Sequence, residues 1–217
     1  MNTASSALAA DVARQANERL ARLLALQTTP TLHPAPTPDE LAAWPAAAWG
    51  AIVAAAARQG LSPLLYQRWV RERSAPLPAA LAAQLRGHYY ATAAANLRHF
   101  HALGQALAAL EGAGLRAVAL KGGHLAPLVY GDLALRPMAD LDLLVEDAAA
   151  AEAALRPLGY TSLPGEEWMA QRYGHHTLRD AAGGILELHE SIAALSARSL
   201  DHCALWARTE RVSLAGV

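Results

Sequence analysis

The sequence predicts an α+β fold, with a helical module over residues 1–114 followed by an α/β core over residues 115–217 whose sheet is flanked by helices. Three observations carry this expectation. Apolar residues recur at helical spacing through most of the first half. Residues 116–145, RAVALKGGHLAPLVYGDLALRPMADLDLLV, set two short apolar strands on either side of a Gly-Gly pair. Residues 175–179 and 185–189 are strand-like runs joined by Asp180-Ala181-Ala182-Gly183-Gly184.

In the first half, residues 4–27 place Leu8, Val12, Leu20, Leu23 and Leu24 at helical intervals between charges. Residues 28–38 are rich in Pro and Thr and read as a linker. Thr37-Pro38-Asp39-Glu40 is a helix start, with Thr37 as N-cap, Pro38 in the first position and acids in the first turn. Pro45 breaks that helix, which restarts at Ala46, runs to Arg58 and ends at Gly60. Another helix covers 62–73, before Pro76 and Pro78. The longest helical pattern spans 77–114, with Gly104 as a candidate interruption and Leu81, Leu85, Tyr89, Leu97, Leu103, Leu107 and Leu110 as its apolar stripe. His99 and His101 do not share a helix face, so they read as surface or packing residues.

The second half carries the chemistry. A strand over 117–120 leads to a turn at Lys121-Gly122-Gly123, a helix over 124–130, and a strand over 140–145. On that strand Asp140 and Asp142 point to one face, roughly 6–7 Å apart at Cα, while Leu141, Leu143 and Val145 point to the other. Two such carboxylates suit one or two divalent cations with oxygen ligands, magnesium foremost. Gly122 and Gly123 allow a phosphate close to the backbone at a helix start. Lys121 offers a point charge and Arg136 a bidentate fork toward phosphate. A helix then runs from Glu146-Asp147 to Leu155, a strand begins at Gly159-Tyr160, and residues 166–173 form a short helix. The hairpin of 175–189 puts Ile185, Glu187 and His189 on one face, making Glu187 the candidate third carboxylate and Glu190 the wrong-parity alternative. His189 is a candidate contact for phosphate, base or acceptor, with His175 or His176 facing it across the hairpin. The plainer reading leaves these histidines hydrogen-bonded in a half-buried sheet. Singly, Gly-Gly also reads as a turn and Asp-Leu-Asp as a solvent-facing strand; their joint order points to nucleotide chemistry.

This segment resembles the nucleotide-binding signature of polymerase-β-like nucleotidyltransferases: an apolar residue, Gly-Gly, a helix, then Asp-apolar-Asp-apolar. More narrowly, LKGG, Tyr130 with LRPMADLDLLV, GY and ILELH resemble a bacterial group of nucleotidyltransferase-like proteins. The signature covers about 120–145, with weaker support to His189. The resemblance implies a polymerase-β-type core with a mixed sheet flanked by helices. It further implies Asp140, Asp142 and Glu187 as catalytic and metal-holding residues, and Mg2+ (or Mn2+) as cofactor. A nucleoside triphosphate such as ATP would be held by Lys121, Gly122, Gly123, Arg136 and His189. Two departures stand out. The gap from Gly123 to Asp140 is longer than in minimal members of the superfamily, and the sequence ends just after a strand-like piece, 211–215, where the family continues into helices. That second departure leaves a fragment, or a core without those helices, as the expectation.

Composition bounds the partners. At 217 residues and 53% hydrophobic, the chain can build one large domain or two small ones and is not a disordered protein. Net charge is −1 with scattered basic residues, which disfavours a nucleic-acid partner. Cys203 is the single cysteine, so there is no internal disulfide and no zinc-type spacing. Charges at Asp11, Arg14, Glu18 and Arg19 break up any secretory leader, and no apolar run has membrane-spanning length. A soluble cytoplasmic protein with no membrane partner is expected. The function expected is transfer of a nucleoside monophosphate to a hydroxyl of a small molecule or protein. A noncatalytic, antitoxin-like module that binds nucleotide or partner on the same fold is the alternative, and metal-dependent phosphohydrolysis a third reading.

Overall fold

The computed structural model describes residues 3–24, 36–72, 77–162, 165, 175–192 and 201–214. Most of the expected linker at 28–38, and the short helix expected at 166–173, lie outside the described residues. The chain divides into two compact units. One comprises Met1–Ala94 with Ala134–Arg136, the other Ala95–Leu133 with Pro137–Val217. The division falls inside the longest helix, whereas the sequence-based boundary is drawn after it, at 114/115.

The first unit is helical: α1 (Thr3–Leu24), α2 (Pro38–Ala42), α3 (Ala46–Arg58) and α4 (Ser62–Tyr66), which continues into a wider π-type turn, Gln67–Arg71. Thr37 caps α2 as expected. Its hydroxyl accepts from Glu40 N at 3.2 Å while its own N–H donates to Glu40 Oε2 at 2.8 Å, the reciprocal pair of a capping box. Leu20 and Leu23 of α1, Ile52 and Val53 of α3, and Leu65 share one core with Trp69, Leu85 and Tyr89. The C-terminus of α1 is satisfied by tertiary donors, because Arg68 Nε and Trp69 Nε1 both donate to Leu23 O, at 3.1 and 3.2 Å.

The long helix α5 (Ala79–Gly112) runs through Gly104 without a break, contrary to the candidate interruption there. One interior glycine costs about 1 kcal/mol. Burial of Phe100, Leu103, Ala106 and Leu110 around it outweighs that, since a single buried Leu or Phe side chain contributes about 1.5–3 kcal/mol. The expected stripe needs one correction: Leu97 is 61% exposed. The neighbouring Asn96 takes the buried position and donates to Leu133 O at 2.5 Å.

The second unit is built on a sheet: β1 (Ala117–Ala119), β2 (Leu141–Val145), β3 (Thr161–Ser162), β4 (His175–Arg179) and β5 (Ile185–His189), in the order β1-β2-β5-β4-β3. Among the described strands β2 and β5 pair in parallel and the other pairs are antiparallel, so the sheet is mixed. Leu141, Leu143, Val145, Leu186 and Leu188 are buried with Leu103, Ala106 and Leu110 of α5 and with Ala148, Ala151 and Leu155 of α7 (Ala148–Leu155). Asp147 caps α7 by accepting from Ala150 N, and Glu190 accepts from Ala148 N, each at 2.9 Å. Glu190, the wrong-parity carboxylate, thus serves a helix start.

The expected hairpin is present, with Asp180 Oδ1 accepting from the N–H groups of Ala182 and Gly184 at 2.8 Å each. Near the end, a short helix α8 (His202–Ala207) precedes 209–214, and the strand expected at 211–215 is not formed among its described residues. Arg211, Val212 and Ser213 are exposed and only Leu214 enters the sheet core, which leaves too little apolar contact to hold a strand. No helix among the described residues is long and apolar enough to cross a membrane.

Candidate functional site

Backbone geometry ties the glycine pair to the aspartate strand. After β1, Leu120 N donates to Asp142 O at 2.9 Å, extending the β1–β2 pairing to the residue before Lys121. Lys121 then adopts φ 41, the left-handed region, at a cost of about 1–2 kcal/mol for a residue with a Cβ. A helix, α6 (Lys121–Leu125), starts at that residue and continues as a π-type stretch, Ala126–Tyr130. Gly122 and Gly123 accordingly lie buried in the first helical turn, not in a turn ahead of a helix at 124 as the sequence suggested. The reversal is made by the single residue Lys121. A Cβ on Gly123 would meet Ala119 Cβ and Leu103 Cδ2 at 3.6 Å, so that side of the glycine faces packed side chains.

The register of β2 against β5 sets Asp142 beside Glu187 and Leu144 beside His189. Paired residues of parallel strands share a face, so Asp142, Glu187 and His189 emerge together. The Asp142 side chain is 2% exposed and that of His189 15%. His189 Nε2 lies 2.9 Å from Asp142 Oδ1 and 3.4 Å from Glu187 Oε2. The Lys121 ammonium donates to the same Asp142 Oδ1 and lies 3.7 Å from Glu187 Oε2.

Burial works to raise the Asp142 pKa, but hydrogen bonds from His189 and Lys121, with their charges, outweigh it and hold the carboxyl below its ordinary range. Burial likewise works to lower Lys121. The hydrogen bond to Asp142 and the charges of Asp142, Glu187 and Asp140 outweigh it and raise the ammonium's pKa. A carboxylate this buried is tolerated because two donors meet it.

The expected site residues can now be located. Lys121, Asp142, Glu187 and His189 converge, with Gly122 and Gly123 next to Lys121 in the chain. Asp140 sits half-buried one residue before β2, and its charge acts on Lys121. It is not a member of the compact cluster, which consists of Asp142, Glu187 and His189 with ligand atoms within 4.8 Å of one another. Arg136 belongs, with Ala134 and Leu135, to the first unit. His175 is opposite His189 in the β4–β5 register. The contact of His189 with the carboxylates was not anticipated, although its parity with Glu187 was the available signal.

The donor set fits a divalent cation. Two carboxylates converge from adjacent strands, and an ammonium already contacts one and lies near the other, so positive charge is favoured between them. Oxygen donors suit magnesium and manganese, while the imidazole adds a donor that transition ions accept.

No curated protein matches the chain, and no solved structure does. A family model described as "uncharacterised nucleotidyltransferase" matches residues 45–217. That span contains the whole sheet and every residue of the carboxylate cluster, and the chain belongs to this nucleotidyltransferase family.

Proposed function

We propose that the protein transfers a nucleoside monophosphate from a nucleoside triphosphate to a hydroxyl of a small molecule or protein, releasing pyrophosphate. The observation that carries this reading is the side-by-side pairing of Asp142 and Glu187 next to the helix start at Lys121-Gly122-Gly123. Lys121, Gly122, Gly123, Asp142, Glu187 and His189 all belong to the second unit.

Asp142 and Glu187 would hold magnesium, or manganese in its place, with Asp140, one residue before β2, adding its negative charge nearby. Bound there, the ion supplies positive charge that stabilises the charge developing on phosphorus and on the departing pyrophosphate. Lys121 binds phosphate oxygens as a point charge, and the backbone at Gly122 and Gly123 orients them. His189 contacts both carboxylates, which the β2–β5 register sets side by side. Glu187 takes the proton from the acceptor hydroxyl. The acceptor oxygen forms its bond to the α-phosphorus as the bond from that phosphorus to the bridging oxygen of pyrophosphate breaks.

Triphosphate labelled at the α-phosphate, incubated with a panel of acceptors, tests this. Label should pass to an acceptor with equimolar pyrophosphate, and Asp142→Asn should abolish both. Turnover that survives in Asp142→Asn would refute the assignment. A second reading, a noncatalytic nucleotide- or partner-binding module, is favoured by one observation: the Lys121 ammonium pairs directly with the buried Asp142 carboxylate. It expects binding with no pyrophosphate release in the presence of any acceptor.

A further inference from the structure

His189 is the one member of the carboxylate cluster that brings nitrogen. Its ring is held among the acids, with Nε2 2.9 Å from Asp142 Oδ1 and 3.4 Å from Glu187 Oε2. Ligand atoms about 2.1 Å from a common ion stand about 3.0 Å apart along an octahedral edge and about 3.4 Å apart along a tetrahedral one. Both separations lie close to those edges and the ligand atoms of all three groups lie within 4.8 Å of one another, so one ion that takes the place of the His189–Asp142 hydrogen bond can draw them together. The strand register enforces the arrangement, since Asp142 pairs with Glu187 and Leu144 with His189 on the same face. Lys121 marks the place electrostatically: its ammonium contacts the oxygen that His189 contacts and lies 3.7 Å from Glu187 Oε2, on the same pair of carboxylates.

We infer that Asp142, Glu187 and His189 form a mixed oxygen and nitrogen site that takes a divalent transition ion, with manganese as the natural probe, in preference to magnesium. His189 is the ligand that discriminates. Magnesium keeps oxygen ligands and gives up water reluctantly, whereas transition ions accept imidazole readily. The inference rests on the proposed function only in placing a divalent ion at this site.

The test measures ion binding directly. Manganese bound to the wild-type protein is examined by pulsed electron paramagnetic resonance for coupling to a directly bound nitrogen. Affinities for Mn2+ and, by competition, Mg2+ are measured for the wild type and for His189→Gln. Nitrogen coupling is expected in the wild type and should be lost in His189→Gln. The preference for Mn2+ over Mg2+ should fall by about tenfold or more, the scale on which ligand-shell changes act, while Mg2+ affinity changes little. Absence of nitrogen coupling in the wild type, which needs no variant to fold, would overturn the inference. So would an unchanged preference in His189→Gln; magnesium binding at the carboxylates would in either case leave the proposed function standing. Failure of both ions to bind the wild type would overturn the inference and the metal-dependent function together.

Discussion

Replacing Lys121 with Met removes the ammonium from the carboxylates while keeping a side chain of similar length and the same left-handed backbone, so the conformational cost at φ 41 cancels between the two proteins. At the 3.7 Å separation from Glu187, a pair of unit charges attracts by about 1 kcal/mol in water and about 4–5 kcal/mol at an effective dielectric constant near 20. The hydrogen bond to Asp142, between charged groups, adds about 1.5–3 kcal/mol. Both must be discounted because the Lys121 side chain is 56% exposed, leaving a net loss of about 1–2 kcal/mol. With divalent ions chelated, hydrogen exchange in β2 and β5 near neutral pH should therefore be about 5–30-fold faster in Lys121→Met. The sign with pH follows from the two shifts. Asp142 is lowered, so the wild-type advantage is present above the ordinary aspartate value of about 3.9 and fades as pH falls through the folded value. Lys121 is raised, so the advantage is present below about 10.4 and is lost as pH rises through its folded value. Equal exchange in the two proteins at neutral pH, or a gap that does not narrow as pH falls below the ordinary aspartate value, would refute the view that this ammonium compensates a buried carboxylate.

Three other substitutions separate packing from chemistry. Gly123→Ala meets only ordinary contacts at 3.6 Å and should be neutral or stabilise α6 by up to about 1 kcal/mol in urea unfolding. Gly184→Ala brings a Cβ to 2.6 Å from Asp180 Oδ2; displacing Asp180 from its two backbone donors should cost about 1–2 kcal/mol and loosen β4–β5 in hydrogen exchange. Glu190→Ala removes the acceptor from Ala148 N and should cost about 1 kcal/mol of stability while leaving triphosphate affinity unchanged.

Parity carried much of the candidate site in the sequence. Alternation put Asp140 with Asp142 and Glu187 with His189, and the Asp180–Gly184 turn fixed the hairpin that delivers Glu187. What alternation cannot contain is which strands become neighbours; the parallel β2–β5 pairing that sets Asp142 beside Glu187 is a tertiary fact. Glycine is the usual residue at positive φ, so the sequence points to a turn at the glycines, whereas Lys121 takes that conformation with both glycines already in the helix. An alanine-rich helix has a weak apolar stripe, so periodicity points Leu97 inward, whereas Asn96 takes the buried position through a hydrogen bond to Leu133 that periodicity does not register. The piece at 211–214 has strand-like composition but only Leu214 in the core, and composition does not report burial.

The central claim is that the carboxylates of β2 and β5 form a divalent-ion-dependent nucleotide site. Calorimetric titration of the four ribonucleoside triphosphates, with and without magnesium or manganese, into the wild type and into Asp140→Asn/Asp142→Asn tests it most directly. Ion-dependent binding of at least one triphosphate by the wild type, and its loss in the double variant, is the expected result. Triphosphate binding of equal strength in both proteins, or binding indifferent to the ion, would contradict it.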